Sequence, residues 1–288
     1  MISPAFLISS TLFVIMFTLG VSLRSTDLIK WGKHPALLLR IWFGSCFLVP
    51  LLALLLLQSP LAATVSPSAR FAIALMALCP SAPLILRKAA KSGGDRELAA
   101  VLQMFAAITS VISVPLLAGV FRAVFSIEGW QIVPADVAVQ VAKAQLLPLL
   151  LGLSVQHFKP VVASKIKPPL EKVANILLGL VALVVFAKAA PHLLVFTTSN
   201  ALALLLMMLL VLLSLLISYG LASTHNSTRP TAALVVAMRN PGLALLLVSS
   251  YAPQLNDVKI GIIAYALVTI FASSSFVELA KSLDRHYY

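Results

Sequence analysis

Long apolar stretches separated by short polar ones run the length of the chain, and nine of them approach the length of a membrane crossing. They fall at 5–23, 36–57, 69–92, 97–122, 135–155, 170–188, 200–222, 229–250 and 258–279. A helix rises 1.5 Å per residue, so about 20 residues cross a hydrocarbon layer near 30 Å thick. The pattern predicts an all-α polytopic membrane protein of nine transmembrane helices. No gap between stretches is polar and long enough for a soluble domain, so residues 1–288 read as one transmembrane domain.

Two stretches are interrupted at mid-length. The third is broken by Cys79-Pro80-Ser81-Ala82-Pro83 and the eighth by Arg239-Asn240-Pro241-Gly242. A proline inside a helix costs about 3 kcal/mol unless neighbours take up the freed carbonyl. A charge near the bilayer centre costs several kcal/mol more. Irregular backbone at that depth is tolerated where it is buried in protein or lines a wet cavity. Cys79, Pro80, Pro83, Pro241 and Gly242 are therefore expected to open helices, with a site around Arg239.

Composition supports the class. Apolar residues make up 60% of the chain and charged residues 10%, against about 25% charged in soluble domains. The net charge of +12 does not indicate nucleic acid, because the Lys and Arg sit in short loops, where they orient a membrane protein. One loop set holds Arg24, Lys30, Lys33, Arg87, Lys88, Lys91, Arg96, Lys159, Lys165, Lys167, Lys172, Arg229, Lys281 and Arg285; the alternate set holds Arg70, Arg122, Lys188 and Lys259. Fourteen against four puts the first set in the cytoplasm, the N-terminus outside and the C-terminus inside. Cys46 and Cys79 lie in apolar segments and fit no zinc or disulfide spacing. The first stretch lacks a basic leader and is long enough to span. Size and the lack of processing signals suggest a bacterial inner membrane.

Depth follows from this topology. Ten residues of helix cover about 15 Å, half the hydrocarbon layer. Arg239, counted from the cytoplasmic side, and Cys79-Pro80, counted from outside, therefore reach the midplane from opposite faces, five segments apart. That is the pattern of an inverted repeat with the substrate site where broken helices meet.

Arg239 is the main candidate for contact with a small organic anion, since its planar fork holds a carboxylate or sulfate at two points. The alternative is an arginine that satisfies carbonyls freed at the break. Asn240 is either a ligand or a helix cap. Ser81 is a further polar candidate. Gln103, with Thr109 and Ser110, either contacts substrate or joins helices. Lys143, with Gln140 and Gln145, lines a vestibule or snorkels outward. Arg87, Lys88 and Lys91 either draw anions to an inner mouth or anchor topology.

Three stretches resemble the bile acid:sodium symporter family, within the bile/arsenite/riboflavin transporter group. Met16-Phe17-Thr18-Leu19-Gly20-Val21-Ser22-Leu23, with Asp27 and Lys33-His34-Pro35, is similar to that family's MFxxGxxL…D…KHP passage. Cys79-Pro80 is similar to its CPGG opening, and Met238-Arg239-Asn240-Pro241-Gly242-Leu243-Ala244 to its MQNSGLA motif. The resemblance implies panel and core domains, crossing broken helices at segments three and eight, two sodium sites beside the crossing, and organic anion substrates. It also implies one helix fewer than ten-helix members. Asn240 matches an asparagine near the family's substrate path, Gln103 lies close to a sodium-ligand position, and Ser45 matches a sodium-site glutamine.

Departures from the family pattern point away from sodium. Val235 stands where sodium-coupled members carry an acidic ligand, Arg239 stands for the motif's Gln, and Ile85 and Leu86 fall where a Ser-Asn pair is expected. Valine, isoleucine and leucine offer no side-chain oxygen, and a guanidinium repels a metal ion. The expectation is a secondary transporter without sodium coupling, in which Arg239 is a built-in cation. A sodium-coupled organic anion symporter, an arsenite exporter using Cys79, and a non-transporting sensor or scaffold are the alternatives. No metal or cofactor is expected, and no nucleophile–base pair or His-Glu-x-x-His motif suggests an enzyme. The expected partners are the anion and the lipid bilayer. The sequence sets no oligomeric state.

Overall fold

The structure, a computed structural model, describes residues 4–81, 85–125, 133–222 and 227–286, with side chains as far as residue 279. Pro83 lies outside the described residues. The described residues form helices and no strands. They are α1 (Pro4–Ser22), α2 (Ser25–Gly32), α3 (Pro35–Gln58), α4 (Pro67–Leu78), α5 (Ile85–Lys91) and α6 (Arg96–Val124), followed by α7 (Pro134–Phe158), α8 (Pro160–Ser199), α9 (Ala201–Leu221), α10 (Thr228–Ala237), α11 (Pro241–Tyr251) and α12 (Asn256–His286). Among the described residues, eight spans are long and apolar enough to cross a membrane, with α10 and α11 together making one of them. The chain is an integral membrane protein.

Local sequence sets most boundaries. Proline occupies the first turn of α3, α4, α7, α8 and α11, where its missing N–H costs nothing. Ser66 caps α4 by accepting from Ala69 N–H, and Asp95 caps α6 by accepting from Leu98 N–H. Proline also loosens helix interiors. Each of α3 and α7 carries a π turn, at Gly44–Leu48 and Ala142–Leu146, two residues ahead of Pro50 and Pro148.

The third apolar stretch, expected to open at Cys79–Pro83, carries the 12-residue α4 and the 7-residue α5, neither of them of membrane-crossing length, with residues 82–84 outside the described residues. The elements differ from the sequence expectation in two further places. The polar segment before the second stretch holds the amphipathic helix α2. The sixth stretch extends in both directions into a single 40-residue helix, α8. Such a helix is about 60 Å long, twice the hydrocarbon thickness, so part of it runs outside the bilayer. Pro168 and Pro169 do not end it. They lie more than two turns inside it, and Lys165, Lys167 and Lys172 keep that part polar.

Packing separates two groups of helices. Helix α1 lies along α7 and α8, whereas α4 packs on α12, and α9 packs on α10 and α12. Gly20 and Gly152 let α1 and α7 touch backbone to backbone: a Cβ on Gly20 would lie 2.3 Å from Leu149 O, and one on Gly152 would lie 2.3 Å from Phe17 O. Small residues at helix crossings are how membrane helices approach closely. Burial follows the grouping. In a membrane-length window the α10–α11 segment is 89% buried and α8 only 11%. Apolar side chains such as Ile176, Leu183, Phe186 and Leu194 therefore stand exposed on α8, as lipid contact requires. The α10–α11 segment lies at the centre of the fold.

Candidate functional site

Four main-chain carbonyls lose their usual helical donors near the centre of the fold, and prolines account for two of them. Pro80 has no N–H, so the Met76 carbonyl four residues earlier loses its usual donor and keeps only a share of Cys79 N–H, at 3.3 Å. The Ala77 carbonyl loses its partner because α4 ends at Leu78 and Ser81 turns into the left-handed region, at φ 45°. In the π turn of α3 the spacing is five residues, as in Val49 N–H to Gly44 O, so Ser45 O faces Pro50 and finds no donor. Helix α10 ends at Ala237 and α11 begins at Pro241. Asn240 N–H, which would otherwise bond Val236 O, donates to Cys79 O at 3.1 Å.

Arg239 supplies all four. Its Nε donates to Met76 O at 3.2 Å. Nη1 donates to Ser45 O at 2.9 Å, to Ser45 Oγ at 3.3 Å and to Val236 O at 3.3 Å. Nη2 donates to Ala77 O. The residue is 2% exposed. One planar fork thus joins α3, α4 and the α10–α11 interruption, and Asn240 N–H adds a second tie between the interruptions. The fork expected to hold a carboxylate faces the chain's own oxygens here. Among the described residues no Asp or Glu side chain forms an ion pair with it.

Asn240, 1% exposed, divides its amide. Oδ1 accepts from Leu243 N–H at 3.0 Å and caps α11, while Nδ2 has no acceptor among the described residues. Ser81 and Gln103 bond each other: Ser81 Oγ donates to Gln103 Oε1, and Gln103 Nε2 donates to Ser81 O at 3.2 Å. A non-glycine residue in left-handed backbone costs roughly 1–3 kcal/mol, and this clamp from α6 offsets it. Gln103→Leu, which removes the clamp and leaves Ser81 polar groups buried, is expected to lower stability by about 2 kcal/mol. Thermal unfolding in detergent checks this, and an unchanged midpoint would show that the clamp carries no weight.

The remaining candidates lie elsewhere. Thr109 Oγ1 donates to Phe105 O at 2.8 Å and accepts from Trp42 Nε1 at 2.9 Å. Ser110 Oγ donates to Ala107 O at 2.7 Å within its own helix. Lys143 is exposed on the π turn of α7 and is not brought to the interruptions. Its neighbour Gln145 is buried, and its Nε2 has no acceptor among the described residues. Lys88 turns onto α12, where Nζ donates to Ile270 O at 3.2 Å and Ser274 Oγ at 3.0 Å. Cys46 and Cys79 are buried free thiols. Ser45 had little to single it out, and its weight comes from the later Pro50. Tyr265, fully buried on α12 with a hydroxyl that has no partner among the described residues, carried no sequence signal beyond being a tyrosine in an apolar run.

A cavity of about 580 Å³ opens between α1, α2, α5, α6 and α8. Ile15, Leu19, Leu86 and Leu178 give it apolar walls, and Arg24, Arg87, Lys91, Arg96 and Lys167 bring five cations against Asp27, Glu97 and Glu171. Its volume is that of a small-molecule site.

The described residues thus form an apolar helical bundle with a buried polar joint and, lined by other residues, an open cavity. A family model described as Sodium Bile acid symporter family matches residues 10–196. That is more than half of the chain, and the chain belongs to this family; it is therefore a membrane transporter. The matched stretch contains Ser45, Cys79, Pro80, Ser81 and Gln103 and ends before Arg239. No curated protein matches the chain.

Proposed function

We propose that the chain is a secondary transporter of small or amphipathic organic anions, that it works by alternating access without a bound sodium ion, and that the Arg239 guanidinium occupies the place of a coupling cation. The observation that carries this reading is the oxygen set around the guanidinium: Ser45 O and Oγ, Met76 O, Ala77 O and Val236 O. Hard cations are held by converging oxygens of this kind. A covalently attached cation among them excludes a mobile one by volume and by charge. Its charge has no carboxylate partner among the described residues, which favours an anion nearby. Asn240, next in sequence, keeps a buried amide donor for that anion.

In this reading α4–α5 and α10–α11 are the two broken helices of a nine-crossing inverted repeat. The face bearing Arg24, Arg87, Lys91, Arg96 and Lys167 is cytoplasmic, and the cavity is the inward-facing substrate crevice. Uptake of carboxylates and sulfonates into proteoliposomes tests the proposal. The expected result is flux of an organic anion at equal rates in sodium and in potassium media. A requirement for sodium would remove the resident-cation role, and a complete lack of anion flux would leave a sensor or scaffold.

A further inference from the structure

The cavity lining is divided by chemistry, and the division bears on what enters it. Ile15 and Leu19 on α1, Leu86 on α5 and Leu178 on α8 form an apolar part, while the charged residues lie toward α2 and the ends of α5, α6 and α8. The three carboxylates are already engaged. Glu97 accepts from Lys30 Nζ at 2.8 Å, Glu171 from Arg96 Nη2 at 2.8 Å, and Asp27 from the Arg24 backbone N–H at 3.2 Å. The Glu97 hydrogen bond also holds the Lys30 ammonium above the usual lysine range. Arg87 is in a different position. Its Nη1 donates to Asn175 Oδ1 at 3.0 Å, a neutral amide one turn beyond Glu171 on α8.

Two arginines therefore meet one face of α8 in different ways, Arg96 on a carboxylate and Arg87 on an amide oxygen. A carboxylate or sulfonate outbids an amide oxygen for a guanidinium, because a hydrogen bond between charged partners is about twice as strong as a neutral one. It does not gain in the same way over a carboxylate already in place. An amphipathic anion whose apolar body lies against Leu19, Leu86 and Leu178 brings its head group to the charged part of the lining. The charge balance of that lining is positive, with five cations against three carboxylates.

We propose that Arg87 is the residue that selects anionic head groups in this cavity, and that Asn175 holds its guanidinium in place until an anion displaces it. This rests on the organic-anion reading above and assigns the residue that enforces it. The ligand is an anionic head on an apolar body, and its source is a soluble organic anion or an anionic lipid of the same leaflet.

Binding to the full-length protein in phosphatidylcholine nanodiscs, measured by calorimetry, tests the assignment with naphthalene-2-sulfonate and its neutral sulfonamide. The native chain is expected to prefer the sulfonate. Arg87→Gln is expected to weaken sulfonate binding about tenfold and leave the sulfonamide unchanged. Asn175→Ala, which frees the guanidinium, is expected to keep or tighten sulfonate binding. Loss of sulfonate affinity when phosphatidylglycerol is added to the disc supports the site with a lipid as its occupant. Sulfonate affinity unchanged in Arg87→Gln, or sulfonamide affinity falling in parallel, overturns the role of Arg87 while leaving anion transport standing. No sulfonate binding by the native chain, with no anion flux in proteoliposomes, overturns both.

Discussion

Arg239→Ala is expected to remove at least 3 kcal/mol of stability and to abolish transport. The substitution strips a donor from Met76 O, which keeps a shared bond from Cys79 N–H, and strips Ala77 O, Ser45 O and Val236 O of the donor Arg239 gives them. A buried acceptor left without a partner costs about 1–3 kcal/mol, and partial collapse or water entry recovers some of that sum. Arg239→Lys separates charge from geometry. It keeps a cation at the joint but cannot reach oxygens on α3, α4 and α10 with one planar fork, so its midpoint is expected between those of the native chain and the alanine variant. The resident-cation role makes a sharper forecast. An emptied oxygen cage should bind a small cation, so added guanidinium or sodium salts should raise the unfolding midpoint of Arg239→Ala more than that of the native chain. A variant as stable as the native protein would refute the structural role, and equal salt responses would refute the cation role.

The second large effect is expected where α1 crosses α7. A Cβ on Gly152 would sit 2.3 Å from Phe17 O and 2.8 Å from Val21 N, and one on Gly20 would meet Leu149 O and Leu153 N at the same distances. The obstacles are backbone atoms, which no rotamer change moves aside. Gly152→Val or Gly20→Val must push the two helices apart, at about 3 kcal/mol, the upper part of the usual range for overpacking. At Gly119 and Gly179 a Cβ would meet nothing within 4 Å, so Gly119→Ala and Gly179→Ala serve as neutral controls. Monodisperse protein after heating, followed by size exclusion, reads the difference. Gly152→Val surviving as well as Gly179→Ala would mean that the close approach contributes nothing.

Much of this site is legible in the residues once each proline is read for the carbonyl it frees. Pro80 points back to Met76, and Pro50 points back to Ser45 through a π turn. The interruption after Ala237 is plain from Arg239-Asn240-Pro241-Gly242. The pairing of these features is not legible, because a freed carbonyl says that it needs a donor and not which donor comes to it. Arg239 lies 163 residues from Met76 and 194 from Ser45. The same limit applies to Ser81 and Gln103, which bond across 22 residues only because α6 returns beside the end of α4. Helix α8 outruns its apolar stretch for a different reason. Prolines and lysines after Lys159 have the composition of a loop, yet Pro160 fits the first turn of a helix, and the helix continues through Pro168 and Pro169 in its interior.

By itself the sequence determined the class of the protein. Sixty per cent apolar residues, arranged in membrane-length runs, leave helices in a bilayer as the form that satisfies each backbone group. It also determined where helices break, since proline removes a donor in any surroundings. Tertiary structure alone decided what the breaks do. Bringing α3, α4 and α10 together turned the buried Arg239 charge into the shared donor for four carbonyls, gave Asn240 a cap on one side of its amide and no acceptor among the described residues on the other, and set α8 against α5 and α6 to enclose a cavity with a basic rim. Hydrogen bonds of this kind depend on distances of about 3 Å between segments far apart in the chain, and only the packed fold sets those distances.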